Sequence, residues 1–572
     1  MGVLFFTSWL KQQQKKTNIS FVCENNKYAD NLFIDANGTL YNSYREVYEE
    51  IGDNDINKLE NLIISRTLKH YDYVINIIKP KEDVYISIDG IAPFAKITQQ
   101  RIRRYTSYIM DTYENKNIKW SPNANISPST NFMKKFDEAL TKYCKTNNYI
   151  YSSYAHYGEG EHKIIQTIKT KYLNKNNIIY SPDTDIIFLS LILLITKYNN
   201  DYKKISSTKI NLKNEQNHLI PFIPKNIYIF RFEGSKSIYF NIYKIKLLLL
   251  KYIKYIFRTE EITYKLLDNQ LILDFIILCF IIGNDFLQNI PFITAYKLNY
   301  VIKAYGQSLH KFKDNETILY NEKNIYKINY YNLSRFIRKL AKYELELFKL
   351  SYFENSLMNH FHNITQNKNL IEIEKIRQKQ QDYIYFNNFN LMPYLDENKN
   401  IIKDNITQIV DILITYKYNY YDYYLKSNNS LLINNMINNY MYGIKWTVDY
   451  YFNTNNNNNI LNGECLNWNW YYKFNCMPFI SDIAYFLKFN NFTNIKENKI
   501  LNNKPLTNEE QLLYIIPYEY LKDINIKLYN LLNNKNYLHP KNLKIDTINK
   551  NILWTCHCII PLYDSEYIRN II

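Results

Sequence analysis

Three short apolar segments of the chain each end in an acidic residue, and helix-like segments separate them. They are NLFID (31–35), DVYISID (83–89) and NNIIYSPD (176–183), and their β-branched and aromatic residues favour strands. Between them lie patterns such as EHKIIQTIKTKYL (161–173), in which apolar residues recur at helical spacing. Such alternation predicts an α/β fold with a mostly parallel sheet covered by helices on both sides. Ligands of these sheets bind outside the carboxyl ends of the strands, where the acids would lie.

Seven acids, most of them where an apolar run ends in a polar turn, form the main candidate site. Glu159 and Glu161 flank one glycine, and Asp183 and Asp185 flank one threonine. Carboxylates this close repel each other unless a cation or a proton separates them. A single such Asp is often only a turn or cap residue, but the doublets favour a shared oxygen-ligand site for Mg²⁺ or Mn²⁺. The predicted catalytic metal ligands are Asp35, Asp89, Glu159, Glu161, Asp183, Asp185 and Asp285.

The charge of the chain indicates a polyanionic partner. Lys and Arg total 70 against 54 Asp and Glu, a formal net charge of +16. Such a balance favours nucleic acid or an anionic membrane surface. Two divalent ions about 4 Å apart can clamp the attacking and leaving oxygens of a phosphodiester displacement. The acids and the net charge together predict a metal-dependent nuclease that uses two Mg²⁺ ions, which Mn²⁺ can replace.

Neither secretion nor membrane insertion is indicated by the sequence. The start, MGVLFFTSWLKQQQKK, has no basic n-region and no small-residue cleavage site. The longest apolar run, LILDFIILCFIIG (271–283), contains Asp274 and is shorter than the ~20 residues that span a bilayer, so it predicts a buried helix. The 7 scattered cysteines indicate reduced thiols. We expect a cytoplasmic monomer without membrane contact, with a nuclear or virion-associated role as the alternatives. The Asn, Ile, Lys and Tyr excess is typical of an AT-rich genome, such as that of a large DNA virus.

A series of longer motifs resembles the XRN family of 5′→3′ exoribonucleases. They are DGIAPFAKITQQRIRRY (89–105), NANISPSTNFM (123–133), GEGEHKII (158–165), DTDIIFLSL (183–191) and GNDFLQNIP (283–291), in the order in which the family has them. Two later blocks, at 443–483 and 538–564, resemble the second conserved region and the end of the family's nuclease core. The resemblance therefore covers nearly the whole chain.

The resemblance implies a PIN- or flap-endonuclease-like core, with a largely helical second conserved region that braces the active site. It implies that the seven acids are the metal ligands, because each stands at a matching position. It also implies a pocket for a 5′-monophosphate and an aromatic platform for the first base. The pocket residues are Lys96, Gln100, Arg103 and Arg104, and the stacking residues are Tyr41 and either Trp468 or Trp470.

The spacing of the four pocket residues supports their assignment independently. Positions i, i+4, i+7 and i+8 lie on one face of a helix. The arginine fork suits two phosphate oxygens at once. A solvated basic helix is the alternative, but such a helix normally carries acids for pairing, and none occurs between Asp89 and Asp111.

Three departures from the family stand out. Tyr41 occupies the position of a histidine in the relatives; its ring can still stack on a base but cannot carry a positive charge near neutral pH. Phe94 stands where the family usually has a basic residue, and the sequence offers no reason for it. The segment KFNCMP (473–478) replaces a PYHYAP motif of the second region.

The chain divides into a nuclease domain (1–300), a helical connecting region (301–430) and a second conserved region (431–572). The predicted activity is processive 5′→3′ degradation of 5′-monophosphorylated single-stranded RNA to mononucleotides. One alternative is a flap-endonuclease-like, structure-specific DNA nuclease, but no glycine-rich duplex-binding element follows the last acidic motif. The other is a non-catalytic RNA-binding scaffold, which would not need an intact set of acids. The sequence does not indicate which protein partners it has.

Overall fold

A seven-stranded sheet lies at the centre of the nuclease half. The structure, a computed structural model, describes residues 2–113, 118–207, 227–312, 316–351, 408–453, 466–490, 503–532, 538–540, 543–548 and 556–572. The strands are β1 (Val22–Cys23), β2 (Asn31–Asp35), β3 (Val84–Ser87), β4 (Ile150–Ser152), β5 (Asn177–Tyr180), β6 (Ile227–Glu233), β7 (Lys236–Asn241), β8 (Leu319–Glu322), β9 (Ile325–Ile328), β10 (Lys544–Asp546) and β11 (His557–Ile559).

Helices make up most of the remainder of the described chain. They are α1 (Phe6–Thr17), α2 (Ala36–Ile51), α3 (Ile56–Ile78), α4 (Phe94–Tyr113), α5 (Pro122–Asn125), α6 (Asn131–Asn147), α7 (Gly160–Thr167), α8 (Asp185–Ser207), α9 (Ile242–Thr259), α10 (Asp268–Ile282), α11 (Leu298–Leu309), α12 (Tyr330–Leu340), α13 (Gln408–Leu425), α14 (Ser430–Val448), α15 (Ile480–Phe489), α16 (Asn508–Ile515), α17 (Tyr518–Ile524), α18 (Ile526–Leu532) and α19 (Ser565–Arg569). A π-helical turn, Asp449–Asn453, extends α14.

The central sheet is mostly parallel, as predicted. Its strand order is β1-β7-β6-β5-β2-β3-β4. The pairs β5–β6, β5–β2, β2–β3 and β3–β4 are parallel, whereas β7 runs antiparallel to both β6 and β1. Ile34 pairs with Ile86 on one side and with Tyr180 on the other. The carboxyl ends of β2, β3 and β5 therefore meet at one edge of the sheet.

Helices cover both faces of this sheet, which confirms the layered α/β prediction. Along β2, Leu32 and Ile34 face a core built with α2, α3 and α6, whereas Phe33 faces a second core built with α1 and α7–α10. This alternation follows from the two-residue period of a strand, and both sets of side chains are fully buried. The middle strands are apolar on both faces for that reason.

Helix α10 is buried continuously from Leu271 to Ile282, as the apolar run predicted. Its buried acid, Asp274, accepts hydrogen bonds from Tyr305 Oη at 2.6 Å and from the amides of Ile318 at 3.0 Å and Leu319 at 2.9 Å. Burial raises the pKa of Asp274 to about 6, and these three donors oppose that effect. Among the described residues, no helix is long and apolar enough to cross a membrane.

The second half of the chain packs against the nuclease half through one continuous core. Ile276 of α10, Ile437 of α14 and Leu513 of α16 belong to the same hydrophobic cluster. Tyr440 Oη also donates a hydrogen bond to the carbonyl of Ile281 at 2.8 Å. The predicted second region is largely helical, and residues 352–407 of the connecting region lie outside the described residues. The proposed three-part division stays a prediction.

Candidate active site

The first two acids lie side by side where β2 and β3 end. Asp35 is the last residue of β2, and Asp89 follows β3 by two residues. Asn37, at the start of α2, links the two strand ends. Its side-chain NH₂ donates to Asp89 Oδ2 at 2.9 Å, and its side-chain oxygen accepts from the backbone amide of Asp89 at 3.1 Å. The register of the parallel strands therefore places these carboxylates together, as the sequence predicted.

Glu159 and Glu161 reach this pair from the amino end of α7. The amide of Gly160, between them, donates to Asp89 Oδ1 at 2.7 Å. A Cβ at position 160 would lie only 3.2 Å from Asp35 Oδ1 and 3.3 Å from Asp89 Oδ1. Glycine therefore lets the helix end approach the carboxylates without crowding them.

The remaining three acids complete the cluster from β5, α8 and the turn after α10. Ser181 Oγ donates to Asp35 Oδ2 at 2.9 Å, which ties the end of β5 to the end of β2. The carbonyl of Asp183 accepts from Arg231 at 2.9 Å, and Asp185 begins α8. Asp285 lies close enough to Asp185 to raise the pKa of that carboxyl. The structure thus brings all seven predicted acids to one site.

Lys96 lies among the acids. Its ammonium is 2.6 Å from Glu159 Oε2 and 2.7 Å from Asp285 Oδ2. Burial opposes a charge here, but Asp285 and Glu159 outweigh it and raise the pKa of Lys96 above its usual range. The same ion pair holds the pKa of Asp285 below its usual range although that carboxyl is buried. Lys96 therefore joins the cationic face of α4 directly to the acid cluster.

The other carboxylates fit a site for divalent cations. Burial, followed by the charge of Glu159, raises the pKa of Asp89 to about 6, and burial together with Asp285 raises the pKa of Asp185 to about 7. Asp185 Oδ1 and Glu161 Oε2 are buried without a hydrogen-bond partner in the described part of the chain. Oxygens of this kind, crowded and unsatisfied, are the ligands that hard cations take.

The rest of the predicted phosphate pocket lies farther along α4. Arg104 is buried and donates to Ser127 Oγ at 2.8 Å, whereas Arg103 is exposed. Burial lowers the pKa of Arg104 to about 10, so it stays charged at neutral pH. The carbonyl oxygen of the Gln100 side chain is buried, and within the described ranges nothing hydrogen-bonds to it. Arg103 and Asp285 both line a cavity of about 120 Å³ between α4 and the second region.

Comparison with known proteins identifies the family. A family model described as XRN 5'-3' exonuclease N-terminus matches residues 1–199, and one described as Xrn1 helical domain matches 265–408 and 412–570. The second alone covers more than half of the chain. The protein belongs to the XRN family. This confirms the resemblance on which the site assignments were based.

Curated XRN relatives match over much of the chain at low identity. A 5'-3' exoribonuclease 1 of Homo sapiens is 24% identical over 99% of this chain and 34% of its own length. The protein of that name from Schizosaccharomyces pombe is 23% identical over 99% of this chain and 48% of its own length. A 5'-3' exoribonuclease 2 of Yarrowia lipolytica is 27% identical over 50% of this chain and 32% of its own length. The chain thus spans less than half of each of these XRN proteins.

The predicted stacking residues differ in their surroundings. Tyr41 is half-buried and lies close enough to Arg104 to interact with it electrostatically. Trp468 is 2% exposed and meets the exposed ring of Tyr157 edge-on, with centroids 6.2 Å apart. Trp470 packs on Gly443, whose added Cβ would lie 2.8 Å from its ring, so it is a core residue of the second region. Trp470 is 7% exposed, so both tryptophans belong to the core, and the choice between them stays a prediction.

Phe94, the unexplained departure from the XRN pattern, holds the second region against α4. Its ring stacks on the Tyr514 ring and meets the Tyr471 ring edge-on, with ring centroids 5.2 Å apart in both pairs. Its amide donates to the carbonyl of Trp468 at 2.8 Å. Phe94 is 1% exposed, so it replaces a rim charge with an apolar contact between the two halves of the chain.

Two site residues were not predicted from the sequence. Tyr450, in the π-helical turn after α14, donates to Glu159 Oε1 and stacks on Trp446, with centroids 5.1 Å apart. His162 offers a ring nitrogen that lies, with carboxylate oxygens of Glu159 and Glu161, in a group within 4.8 Å. Burial lowers the pKa of His162 to about 4, so the ring is neutral, and neither nitrogen has a hydrogen-bond partner in the described part of the chain. The position of His162 directly after Glu161 was a signal that could have been used, whereas Tyr450 gave none.

Proposed function

We propose that this XRN protein is a 5′→3′ exoribonuclease that removes mononucleotides processively from 5′-monophosphorylated single-stranded RNA. The names of its relatives supply the reaction type. One observation carries the proposal to this chain: Lys96 pairs with Glu159 and Asp285, at 2.6 and 2.7 Å, so the cationic face of α4 begins inside the acid cluster. Helix α4 would thereby connect an end-binding pocket to a hydrolytic site.

The seven acids would hold two divalent cations, Mg²⁺ or Mn²⁺, which when bound supply charge neutralisation and an activated water at the scissile phosphate. Lys96 adds a fixed positive charge beside the same phosphate. Tyr450 holds one oxygen of Glu159 and thereby fixes the direction in which that carboxylate points. The buried surroundings strengthen these interactions because they exclude water.

The 5′-phosphate would be read by Gln100, Arg103 and Arg104. From Lys96 to Arg104 the helix advances eight residues, which is about 12 Å. A terminal phosphate bound near Arg104 would therefore leave the next phosphates of the strand close to the acids. Ser127 orients the Arg104 guanidinium by accepting from it at 2.8 Å.

Tyr41 and either Trp468 or Trp470 would stack on the first base, a contact worth ~1–3 kcal/mol that depends little on base identity. Because phosphates are read and base edges are not, we expect slight sequence preference. We propose that the protein acts as a monomer. We propose that it acts in the cytoplasm. None of the described contacts favours a flap endonuclease or a non-catalytic scaffold.

The proposal is tested with RNAs of one sequence that carry a 5′-monophosphate, 5′-triphosphate or 5′-hydroxyl, beside a DNA flap, each with Mg²⁺, Mn²⁺ or EDTA. We expect mononucleotides from the first time points, monophosphorylated RNA degraded at least about tenfold faster than the other ends, and no reaction in EDTA. Faster cleavage of the flap than of monophosphorylated RNA would contradict the proposal. So would nucleotide release that begins at the 3′ end.

A further inference from the structure

The amino-terminal segment touches the acid cluster through Gly2. The Gly2 amide donates to Asp285 Oδ1 at 2.7 Å. A Cβ at position 2 would lie 1.6 Å from Asp185 Oδ1 and 2.6 Å from Asp185 Cγ, far inside van der Waals contact. The φ angle of Gly2 is +56°, which residues with a side chain rarely adopt. A side chain at this position would therefore strain the backbone and displace the Asp185 carboxylate.

The same segment reaches the turn that carries the aspartate doublet. Thr7 Oγ1, in the first turn of α1, is 3.2 Å from Thr184 Oγ1. Thr184 is the residue between Asp183 and Asp185. A hydrogen bond at this point limits how far the turn can move. Gly2 thus contacts Asp285 and lies beside Asp185, and Thr7 contacts the residue between Asp183 and Asp185.

The segment is itself fixed in place. Val3, Phe6 and Trp9 are 1%, 0% and 2% exposed. The ring centroids of Phe6 and Phe188 of α8 are 4.5 Å apart, and those of Trp9 and Phe275 of α10 are 6.1 Å apart. These are the helix that begins with Asp185 and the helix that leads to Asp285. The segment is therefore anchored to the elements whose acids it contacts.

We propose that residues 2–7 are a positioning element of the active site, in which the Gly2 amide fixes Asp285, the absent Gly2 side chain makes room for Asp185, and the Thr7 hydroxyl holds the turn between Asp183 and Asp185. The inference rests on the proposed metal-dependent function. It assigns to this segment the control of cation affinity, with no direct contact to RNA required.

The deciding variant is Gly2→Ala in the full chain, with Gly234→Ala as its matched control. Gly234 has a φ of +59° and nothing within 4 Å of a would-be Cβ, so the control carries the same backbone strain without the contact. Groups that orient metal ligands typically contribute about 10–100-fold to metal affinity. We expect Gly2→Ala to weaken Mn²⁺ binding in calorimetry by that factor and to lower kcat, with KM for monophosphorylated RNA unchanged. Equal Mn²⁺ affinity in Gly2→Ala and Gly234→Ala would overturn the inference.

A second variant keeps the test decisive if Gly2→Ala does not fold. Thr7→Val removes the hydroxyl but keeps the shape of the side chain, and Thr7→Ser keeps the hydroxyl. We expect Thr7→Val to weaken Mn²⁺ binding severalfold, Thr7→Ser to restore it, and Thr415→Val, far from the acids on α13, to leave it unchanged. Identical affinity in Thr7→Val and Thr7→Ser would refute the role of Thr7. If the unaltered protein neither binds Mn²⁺ nor degrades RNA, the proposed function fails; if it does both and the variants match it, only this inference fails.

Discussion

Glu159 is held from two parts of the chain that are far apart in the sequence. The ammonium of Lys96 lies 2.6 Å from Glu159 Oε2. Tyr450, which is 291 residues after Glu159, donates to Glu159 Oε1. A carboxylate fixed at both oxygens loses little freedom when it binds a ligand, so its geometry is set before substrate arrives. Single residues of the site are in this way positioned by several elements at once.

Asp185 offers a test of the cost of this crowding. Burial and Asp285 raise its pKa from 3.8 to about 7, so the ionised form is disfavoured in the folded protein. Asp185→Asn should lower kcat at least about 100-fold because a cation ligand is lost. In metal-free buffer at pH 8 it should raise the free energy of unfolding by roughly 1–2 kcal/mol because a repelling charge is gone.

The sign of the pH dependence makes this prediction specific. Between pH 4 and 7 the native protein retains a proton on Asp185 that the unfolded chain releases, so its stability falls as the pH rises. The gain from Asp185→Asn should therefore be absent at pH 4 and complete above pH 7, as measured by urea unfolding. Asp422→Asn, at an exposed position on α13, should change neither activity nor stability. A stability gain that does not depend on pH would contradict the explanation.

At the scale of elements, helix α4 serves two functions on two sides. Phe94 at its start docks the second region, and Lys96 pairs with the acids. Arg101, two turns after Phe94 and on the same side of the helix, is fully buried, donates to the carbonyls of Tyr514 and Leu538, and so binds the second region as well. The helical period therefore places the predicted phosphate-binding residues and the interface residues of this cationic segment on different faces of α4.

Arg104 should contribute to recognition of the RNA end and little to the chemistry. We expect Arg104→Ala to raise KM for monophosphorylated RNA at least about tenfold and to reduce its advantage over 5′-hydroxyl RNA, with a smaller effect on kcat. Arg104→Lys should be intermediate, since it keeps the charge but not the fork that meets Ser127. Arg45→Ala, at an exposed arginine of α2, is the control. An unchanged preference between the two RNA ends in Arg104→Ala would remove Arg104 from the pocket.

The sequence predicted the elements best where a periodic pattern and a strand end coincide. Asp35, Asp89 and Asp183 were predicted to meet because parallel strands bring their carboxyl ends together, and they do. The face of α4 followed from helical spacing in the same way. Contacts between distant segments leave no such pattern, so neither Tyr450 on Glu159 nor Gly2 on Asp285 was anticipated. The placement of Lys96 within the acids, and not only beside a phosphate, was also not foreseen.

At the scale of the whole molecule, the two halves share one hydrophobic core. The cluster contains residues of α1, α10, α14 and α19, so it runs through both ends of the chain. Phe94 was unexplained in the sequence because its partners, Tyr471 and Tyr514, lie about 400 residues away. Its role could be recognised only once these halves were brought together.

Phe94→Lys, which restores the kind of residue usual in the family, should therefore be harmful here. It places a charge in an aromatic contact that is 1% exposed, and we expect a loss of at least about 3 kcal/mol of stability. Chemical denaturation and limited proteolysis would measure it. Phe489→Lys, at a position 63% exposed, should have no effect. Stability unchanged by Phe94→Lys would show that Phe94 does not hold the halves together.

The hydrogen bond from Tyr450 to Glu159 has a consequence for the order in which the protein is made. A ribosome completes the strands and helices that carry all seven acids before it reaches α14 and the turn that contains Tyr450. A nascent or prematurely terminated chain thus holds every cation ligand but not the group that orients Glu159. Under the proposed function, an incomplete copy would therefore lack one of the contacts that position its metal ligands.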